Sequence, residues 1–256
     1  MSRPMRILFF DIESAPLLGY FWRPDQDYIA HDFMVADSYM LGYSARFRGE
    51  RTIHSDILTS SEAKRQHDDR IVVGLGRLIR KADLIVAHNI RRFDLPVFNG
   101  RLLMRGLEPL GPVQTIDTFV LAKQNFGLPY YKLDYLAERL GLGKKIKTDF
   151  ELWRRCYLGD EAALAKMHRY NRRDVVLLEQ VFEKMLPYVK SLPRLVVAGG
   201  PDDSSCPLCA YPGPLAKRGF HENRATRFQT YQCPRCTRYS RVRVADKTHR
   251  LTLVPL

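Results

Sequence analysis

No stretch of this chain approaches the ~20 consecutive apolar residues that a membrane-crossing helix needs. The amino terminus, Met1-Ser2-Arg3-Pro4-Met5-Arg6, leads into only four apolar residues before Asp11, too few for the apolar core of a secretory leader. The expectation is a protein that stays in the reducing, cytoplasmic compartment where it is made and has no membrane partner. Internal repeats and low-complexity tracts are missing too, which argues against a solenoid or a disordered chain. Acidic residues are scarce relative to basic ones, 28 against 41, so the formal net charge is +13. Such an imbalance favours polyanion partners through counterion release, although a merely soluble surface has the same charge. Cysteine is nearly absent before residue 200. Cys156 stands alone in a helical segment and reads as a buried thiol.

What is present reads as an α/β chain. Arg6 to Phe10 is apolar and runs into Asp11-Ile12-Glu13 as a buried strand, with strands expected over Ser38 to Phe47 and Arg51 to His54. Asp68 to Lys81 has apolar residues at helical spacing, and Leu84 to Ala87 is a short, wholly apolar strand. Further helices are expected over Leu95 to Arg105, Thr118 to Gln124 and Lys132 to Leu140, the last stopped by Gly141. Gln114 to Ile116 reads as a strand, and Asp160 as the cap of a helix that continues, or is followed by another, through Tyr188. Strands first and helices interleaved later imply a mixed sheet flanked by helices. Near Ala198 the texture changes to a breaker-rich linker. Domains are therefore expected at 1–197 and 198–256.

Three acidic elements carry the chemistry. On a strand, Asp11 and Glu13 project to one face about 6.6 Å apart along the backbone, with Ile12 behind them. Two carboxylates at the end of an apolar strand call for a cation, and oxygen donors suit Mg²⁺ or Mn²⁺. Asp94 follows Ala87-His88-Asn89-Ile90-Arg91-Arg92-Phe93 at the start of a helix, where it would alternatively serve as an N-cap. Tyr170 and Asp174 stand four residues apart and share a helix face. The alternative there is a tyrosine packed on the core and an aspartate paired with a nearby arginine.

Taken together, Phe10-Asp11-Ile12-Glu13, His88-Asn89 with Phe93-Asp94, and Tyr170 to Asp174 resemble the DEDD superfamily of 3′–5′ exonucleases, which have a ribonuclease H-like fold. The match is to the tyrosine subclass, which includes the proofreading domains of DNA polymerases, and it spans Arg6 to Leu192. The histidine subclass would place its histidine at position 169, which is Arg169 here, with His168 one position off.

The resemblance implies a two-metal hydrolase that releases mononucleotides from the 3′ end of DNA, acting alone or in trans to a polymerase or another replication or repair protein. It implies catalytic Asp11, Glu13, Asp94, Tyr170 and Asp174. Asp11 would bridge two Mg²⁺ or Mn²⁺ ions, Glu13 and Asp174 would serve the water-activating ion, and Asp94 the other. Tyr170 would orient the attacking water. By the same analogy Asn89, Phe93 and Lys144 would bind substrate. Core packing is the alternative for Phe93, and a solvated loop for Lys144, Lys145 and Lys147. Asp117 would be a supporting acid or a helix cap, and Tyr130-Tyr131 reads as packing. DNA is preferred to RNA. The alternatives are an RNA 3′–5′ exonuclease, a ribonuclease H-like structure-specific endonuclease, and a nucleic-acid-binding protein without catalysis.

Cys206-Pro207-Leu208-Cys209 and Cys233-Pro234-Arg235-Cys236 form two Cys-x₂-Cys pairs with 23 residues between them. In a reducing compartment this spacing implies one structural Zn²⁺ on four thiolates, and it resembles a zinc ribbon, a small β module that relies on its metal for folding. A pair of disulfides is the alternative. Ala210 and Thr237 stand where such ribbons often carry glycine. From Cys206 onward there are ten Lys/Arg against two Asp/Glu, and Arg224, Arg227, Arg235, Arg238, Arg241 and Arg243 are interleaved with Phe228, Tyr231 and Tyr239. Arginine among aromatics suits a nucleic-acid strand, so the module is expected to grip substrate or, failing that, to dock a protein.

Overall fold

The computed structural model describes residues 5–23, 25, 28–144, 146–189, 206, 211, 213–223 and 226–244. The expected linker around Ala198, together with Cys209, Ala210, Lys145 and Arg224, lies outside the described residues. The chain divides into two compact units: Arg6–Met185 is one, and the described residues beyond it belong to the other.

In the larger unit the elements follow in the order β1 (Ile7–Ser14), β2 (Leu18–Gly19), β3 (Met34–Ala36), β4 (Met40–Phe47), β5 (His54–Ile57), α1 (Ser60–Lys64), α2 (Asp69–Ile79) and β6 (Leu84–Ala87). They continue with α3 (Asp94–Met104), β7 (Gln114–Asp117), α4 (Thr118–Asn125), α5 (Leu133–Arg139), α6 (Phe150–Tyr157) and α7 (Glu161–Met185). Five strands form one mixed sheet in the order β5-β4-β1-β6-β7. β1 pairs antiparallel with β4 and parallel with β6. It is therefore an interior strand covered on both faces, which is why Ile7, Leu8, Phe9 and Phe10 form an unbroken apolar run. Its two faces differ. Leu8, Phe10 and Ile12 join the main core with Val72, Leu75 and Phe98 from the helices α2 and α3. Phe9 meets Phe182 of α7 edge-on at 5.5 Å.

The expected mixed α/β architecture is the one found. β7 is an edge strand. Gly141 ends α5 at φ +70, and Asp160 caps α7 by accepting the Ala163 N–H at 2.9 Å. α7 runs unbroken through the segment that includes Tyr170 and Asp174. Cys156 is buried, and burial, with Glu13 next in effect, pushes its thiol up to about 12. The third strand differs from expectation: it covers His54–Ile57 rather than 51–54. Its pairing with β4 begins at Ala45 opposite His54, so residues 51–53 are taken up by the connection that Gly49 turns at φ +81. No helix among the described residues is long and apolar enough to cross a membrane.

Asp68, expected as the start of a helix, does something other than cap it. Fully buried, it accepts Nε and Nη2 of Arg101 at 2.7 and 2.8 Å, Nη2 of Arg105 at 3.1 Å, and the Met40 N–H at 2.9 Å. It thereby locks the start of α2 and the body of α3 to the first residue of β4. Asp68→Ala leaves Arg101 without its anion, and a buried pair broken on one side costs about 3–5 kcal/mol. Urea unfolding should therefore show a lowered midpoint of that size with an unchanged slope. A loss below about 1 kcal/mol would mean that the network does not hold these elements together.

Candidate active site

The parity of β1 sets the site. Asp11 and Glu13 project from the face opposite Ile12, toward α7, just before a register shift at Glu13/Ser14 interrupts the pairing with β4. α7 delivers Asp174 to the same place. One carboxylate oxygen from each of Asp11, Glu13 and Asp174 lies within 4.8 Å of the others, the spacing of a shared cation.

Tyr170, one turn before Asp174, hydrogen-bonds that carboxylate. Burial first, then the charges of Asp174, Glu13 and Asp11, raises the Tyr170 phenol far above its ordinary value of 10. It stays protonated and works as a hydrogen-bonding group. Trp153 of α6 meets its ring edge-on at 6.1 Å and braces it. The neighbouring His168 bonds Ser55 through Nε2 at 2.9 Å, so it is engaged outside the acid cluster.

Asn171 is a site residue that sequence reasoning passed over. It is buried, and its Nδ2 donates to Asp11 Oδ2 at 2.7 Å and to the Asp11 carbonyl at 3.3 Å. Its place within Tyr170–Asp174 was visible. That its helix turn faces β1 was not.

Asp94 is the first residue of α3 and is 1% exposed, and its side chain caps nothing. Among the described residues neither carboxylate oxygen has a hydrogen-bond partner of normal geometry. Burial raises its pKa well above the usual aspartate value, the charge of Asp11 adds to that, and the nearby amides of Asp94 itself and Ile12 pull weakly the other way. A buried carboxyl left in this way is expensive unless a cation reaches it.

Asp117 caps a helix, one of its two expected roles, and its carboxylate also reaches the turn before Asp94. Its carboxylate caps α4 through the N–H groups of Phe119 and Val120 at 3.0 and 3.3 Å, and also accepts the Asn89 N–H at 2.9 Å. That bond holds Asn89 at φ +70, a left-handed conformation that asparagine tolerates better than most residues. His88 is anchored alongside by Nδ1 to Thr118 Oγ1 at 2.9 Å.

An open cleft of about 880 Å³ runs from Asp11 and Tyr170 past Asn89 and Arg92 to Lys132, Lys144 and Lys147. Lys144 also pairs with Glu138 at 3.3 Å on an exposed surface. Phe93 is 39% exposed, so the core-packing alternative fails for it. Tyr131 packs, its hydroxyl donating to the Phe126 carbonyl at 3.1 Å, whereas Tyr130 is exposed.

In the smaller unit β8 (Ala216–Asn223), β9 (Thr226–Gln232) and β10 (Tyr239–Arg243) form an antiparallel sheet in the order β10-β9-β8. The thiols of Cys206, Cys233 and Cys236 lie within 4.8 Å of one another, and all three are buried. The Cys206 and Cys236 sulfurs are 3.7 Å apart, far beyond the ~2.05 Å of a disulfide. Thr237 occupies the left-handed conformation at φ +57 that glycine would adopt freely. Gln232 Nε2 steadies it with a 2.9 Å bond to its carbonyl.

A model of the family RNase_H_2, of the RNase_H superfamily, matches residues 8–186. Among solved structures, the family B DNA polymerase from the hyperthermophilic archaeon Pyrobaculum calidifontis is similar, with a TM-score of 0.54 and 18% identity. The similarity covers 88% of this chain and 32% of the polymerase, so the chain spans about a third of that protein's length, and the likeness speaks for the fold. No curated protein matches the sequence.

The donor set fits a hard divalent ion, and Asp94 supplies a test. Asp94→Asn puts a neutral amide where a carboxyl that is costly to ionise is buried, so without added divalent ion its melting temperature should exceed that of the wild type. The raised pKa gives the sign: the penalty is absent below about pH 4, where the carboxyl is protonated folded or unfolded, and grows toward neutrality. Mn²⁺ should stabilise the wild type by about 2.7 kcal/mol at a hundredfold excess over Kd, and the variant much less. Equal Mn²⁺ shifts in thermal melts of the two proteins would remove Asp94 from the ion site.

Proposed function

The chain belongs to the RNase_H superfamily, and on that footing we propose that it is a two-metal 3′–5′ exonuclease of the DEDD tyrosine subclass, acting on single-stranded or frayed ends of DNA. The observation that carries this reading is the meeting of Asp11, Glu13 and Asp174 within 4.8 Å, with Tyr170 hydrogen-bonded to Asp174 from one turn away. An acid pair on an interior strand and a tyrosine-aspartate pair on a helix serve phosphodiester hydrolysis in a way that a binding domain has no need of. Asp11, Glu13, Asp174 and Asp94 would hold Mg²⁺ or Mn²⁺. Bound there, the ions would supply hydroxide near neutral pH and offset the charge of the leaving 3′ oxygen.

The remaining roles belong to the protein. Asn171 fixes the rotamer of Asp11, so that this carboxylate is already oriented before any ligand arrives. The Tyr170 hydroxyl, kept protonated by its surroundings, holds the attacking water by hydrogen bond and takes no proton from it. Arg92, Lys132, Lys144 and Lys147 along the cleft draw the phosphates of the strand toward the acids. Asn89, clamped by Asp117, and the exposed Phe93 contact the terminal nucleotides, Phe93 by stacking.

The catalytic domain is assigned to residues 1–197. The linker and a zinc ribbon, with Cys206, Cys209, Cys233 and Cys236 on one Zn²⁺, are assigned to 198–256. Three thiols already converge there with no disulfide among the described residues, as a thiolate metal site requires. The resemblance to proofreading domains makes a polymerase or another replication or repair protein the expected partner.

Digestion of oligonucleotides labelled at the 5′ or the 3′ end, in DNA and RNA versions, tests the activity. With Mn²⁺ the wild type should shorten the 5′-labelled DNA stepwise and free labelled mononucleotide from the 3′-labelled one. Asp11→Ala and Asp174→Ala should each lose at least about a thousandfold in rate, a loss of ~4 kcal/mol in transition-state stabilisation, while Tyr170→Phe retains measurable activity. Internal cuts would indicate an endonuclease, preference for RNA would correct the substrate, and full activity in either aspartate variant would end the reading.

Elemental analysis should find one zinc per chain, lost in Cys233→Ser. A zinc-free wild type that keeps the far-ultraviolet signal of its sheet would rule out the ribbon.

A further inference from the structure

The C-terminal sheet has two unlike faces. Directly paired residues of an antiparallel sheet project to the same side, and the register of β8, β9 and β10 sorts them. On one face Arg227 stands opposite Glu222, and Gln229 opposite Phe220 and Val242. Glu222 is the sole carboxylate between residues 206 and 244. It neutralises Arg227 at 2.9 Å, and the same guanidinium lies 3.8 Å from the centre of the Phe220 ring. That face also carries Lys217 opposite Tyr231, and it mixes charged, polar and apolar side chains around the Glu222–Arg227 pair.

Among the described residues the other face carries no carboxylate. His221 lies opposite Phe228, Arg241 opposite Thr230, and Tyr239 opposite Gln232. Arg218, the extra residue at the irregularity between Lys217 and Gly219, joins them by donating through Nε to Gln232 Oε1 at 2.9 Å. The Arg241 guanidinium sits 4.6 Å above the centre of the Phe228 ring, and the His221 ring leans on the same ring at 6.3 Å and 38°. Phe228 therefore holds a cation and an imidazole in place, each with an outward surface exposed to solvent. Tyr239, 60% exposed, extends the row.

We propose that this face, built on Arg218, His221, Arg241 and Tyr239, binds single-stranded nucleic acid. Stacking surfaces alternating with cations match a strand whose bases are unpaired and whose phosphates run alongside. Arg241, already stacked on Phe228, gives up little freedom when a base covers its other side. The absence of any acid on this face removes the repulsion that Glu222 would bring on the opposite one. The face adds an anchoring surface in the smaller unit, separate from the acid cluster, and the charge of the whole chain does not account for it, because the two faces of one small sheet differ.

The test uses the full chain with Asp11→Asn in every sample and no added Mg²⁺ or Mn²⁺, so that no strand is consumed. The outcome then stays independent of the nuclease reading. Fluorescence anisotropy is measured with labelled 20-mers of dT and of U over a salt series. The tighter of the two identifies the sugar. Arg218→Gln with Arg241→Gln should weaken binding at least about tenfold at low salt. It should also lower the slope of log affinity against log salt by about 1.4, two single-strand phosphate contacts at ~0.7 each. Tyr239→Ala should weaken binding about fivefold or more with the slope unchanged, the mark of a lost stack. Arg227→Gln on the opposite face should stay within about twofold. Circular dichroism and thermal melts check the fold. Tyr239→Ala, at an exposed position, decides the matter if the arginine variants misfold. Unchanged affinity in Tyr239→Ala, equal losses from Arg227→Gln and Arg241→Gln, or equal competition by polyglutamate would overturn the proposal, the last pointing to an acidic protein partner.

Discussion

Like charges crowded at the rim of an apolar core are the constraint around which the larger unit is organised. Asp11, Glu13 and Asp174 come within 4.8 Å of one another, and Asp94 is buried nearby and feels the charge of Asp11. In isolation such a group would repel itself apart or neutralise by taking up protons. The surrounding structure prevents the first outcome by over-determining where each acid sits. Asp11 is on an interior strand and held by Asn171, Asp174 is on a 25-residue helix, and Asp94 opens a helix tied to the rest through Arg101 and Asp68. Stability given up locally by crowding these acids would be regained if a cation bound among them.

The same logic explains which acids do other work. Asp68 and Asp117 are as buried as the site acids, yet each is saturated. Asp68 takes two guanidinium groups and an amide, and Asp117 takes amides from the helix it caps and from the 89–91 turn. Satisfied carboxylates build the scaffold, and Asp94, whose oxygens lack such partners among the described residues, is not one of them. Asp117 links the two groups: by clamping Asn89 it shapes the turn that leads from β6 to Asp94. In the smaller unit, thiols converge beside a sheet with little apolar cover of its own, and Thr237 keeps a turn conformation that costs a side chain energy. Both units thus use side chains drawn together from separate segments to place donors whose local geometry is unfavourable without a partner.

Much of this was legible in the chain. The period of two on β1 placed Asp11 and Glu13 together, the spacing of four placed Tyr170 with Asp174, and the mixed sheet followed from the order of apolar runs. Other features were not. Asn171 and Trp153 matter because of which helix face meets β1 and which helix packs beside Tyr170. Asp68 and Asp94 were both candidate helix starters, and only their surroundings separate a structural anion from an unsatisfied one. The two unlike faces of the C-terminal sheet depend on strand register, including one irregularity at Lys217/Gly219, which a list of arginines and aromatics cannot supply.

Local periodicity and residue chemistry are written along the chain, so the sequence alone determined the α/β class, the pairing of Asp11 with Glu13 and of Tyr170 with Asp174, and the spacing of the cysteine pairs. The meeting of the strand pair with the helix pair was implied by the family resemblance. Burial, saturation and facing are set by contacts between residues far apart in the chain. Only the tertiary structure could decide that Asp94, among the described residues, lacks hydrogen-bond partners of normal geometry while Asp68 and Asp117 have theirs, that Asn171 holds Asp11, and that one side of a small sheet carries none of its strands' acid. Those contacts depend on how helices and strands from distant segments pack, and no local pattern encodes that packing.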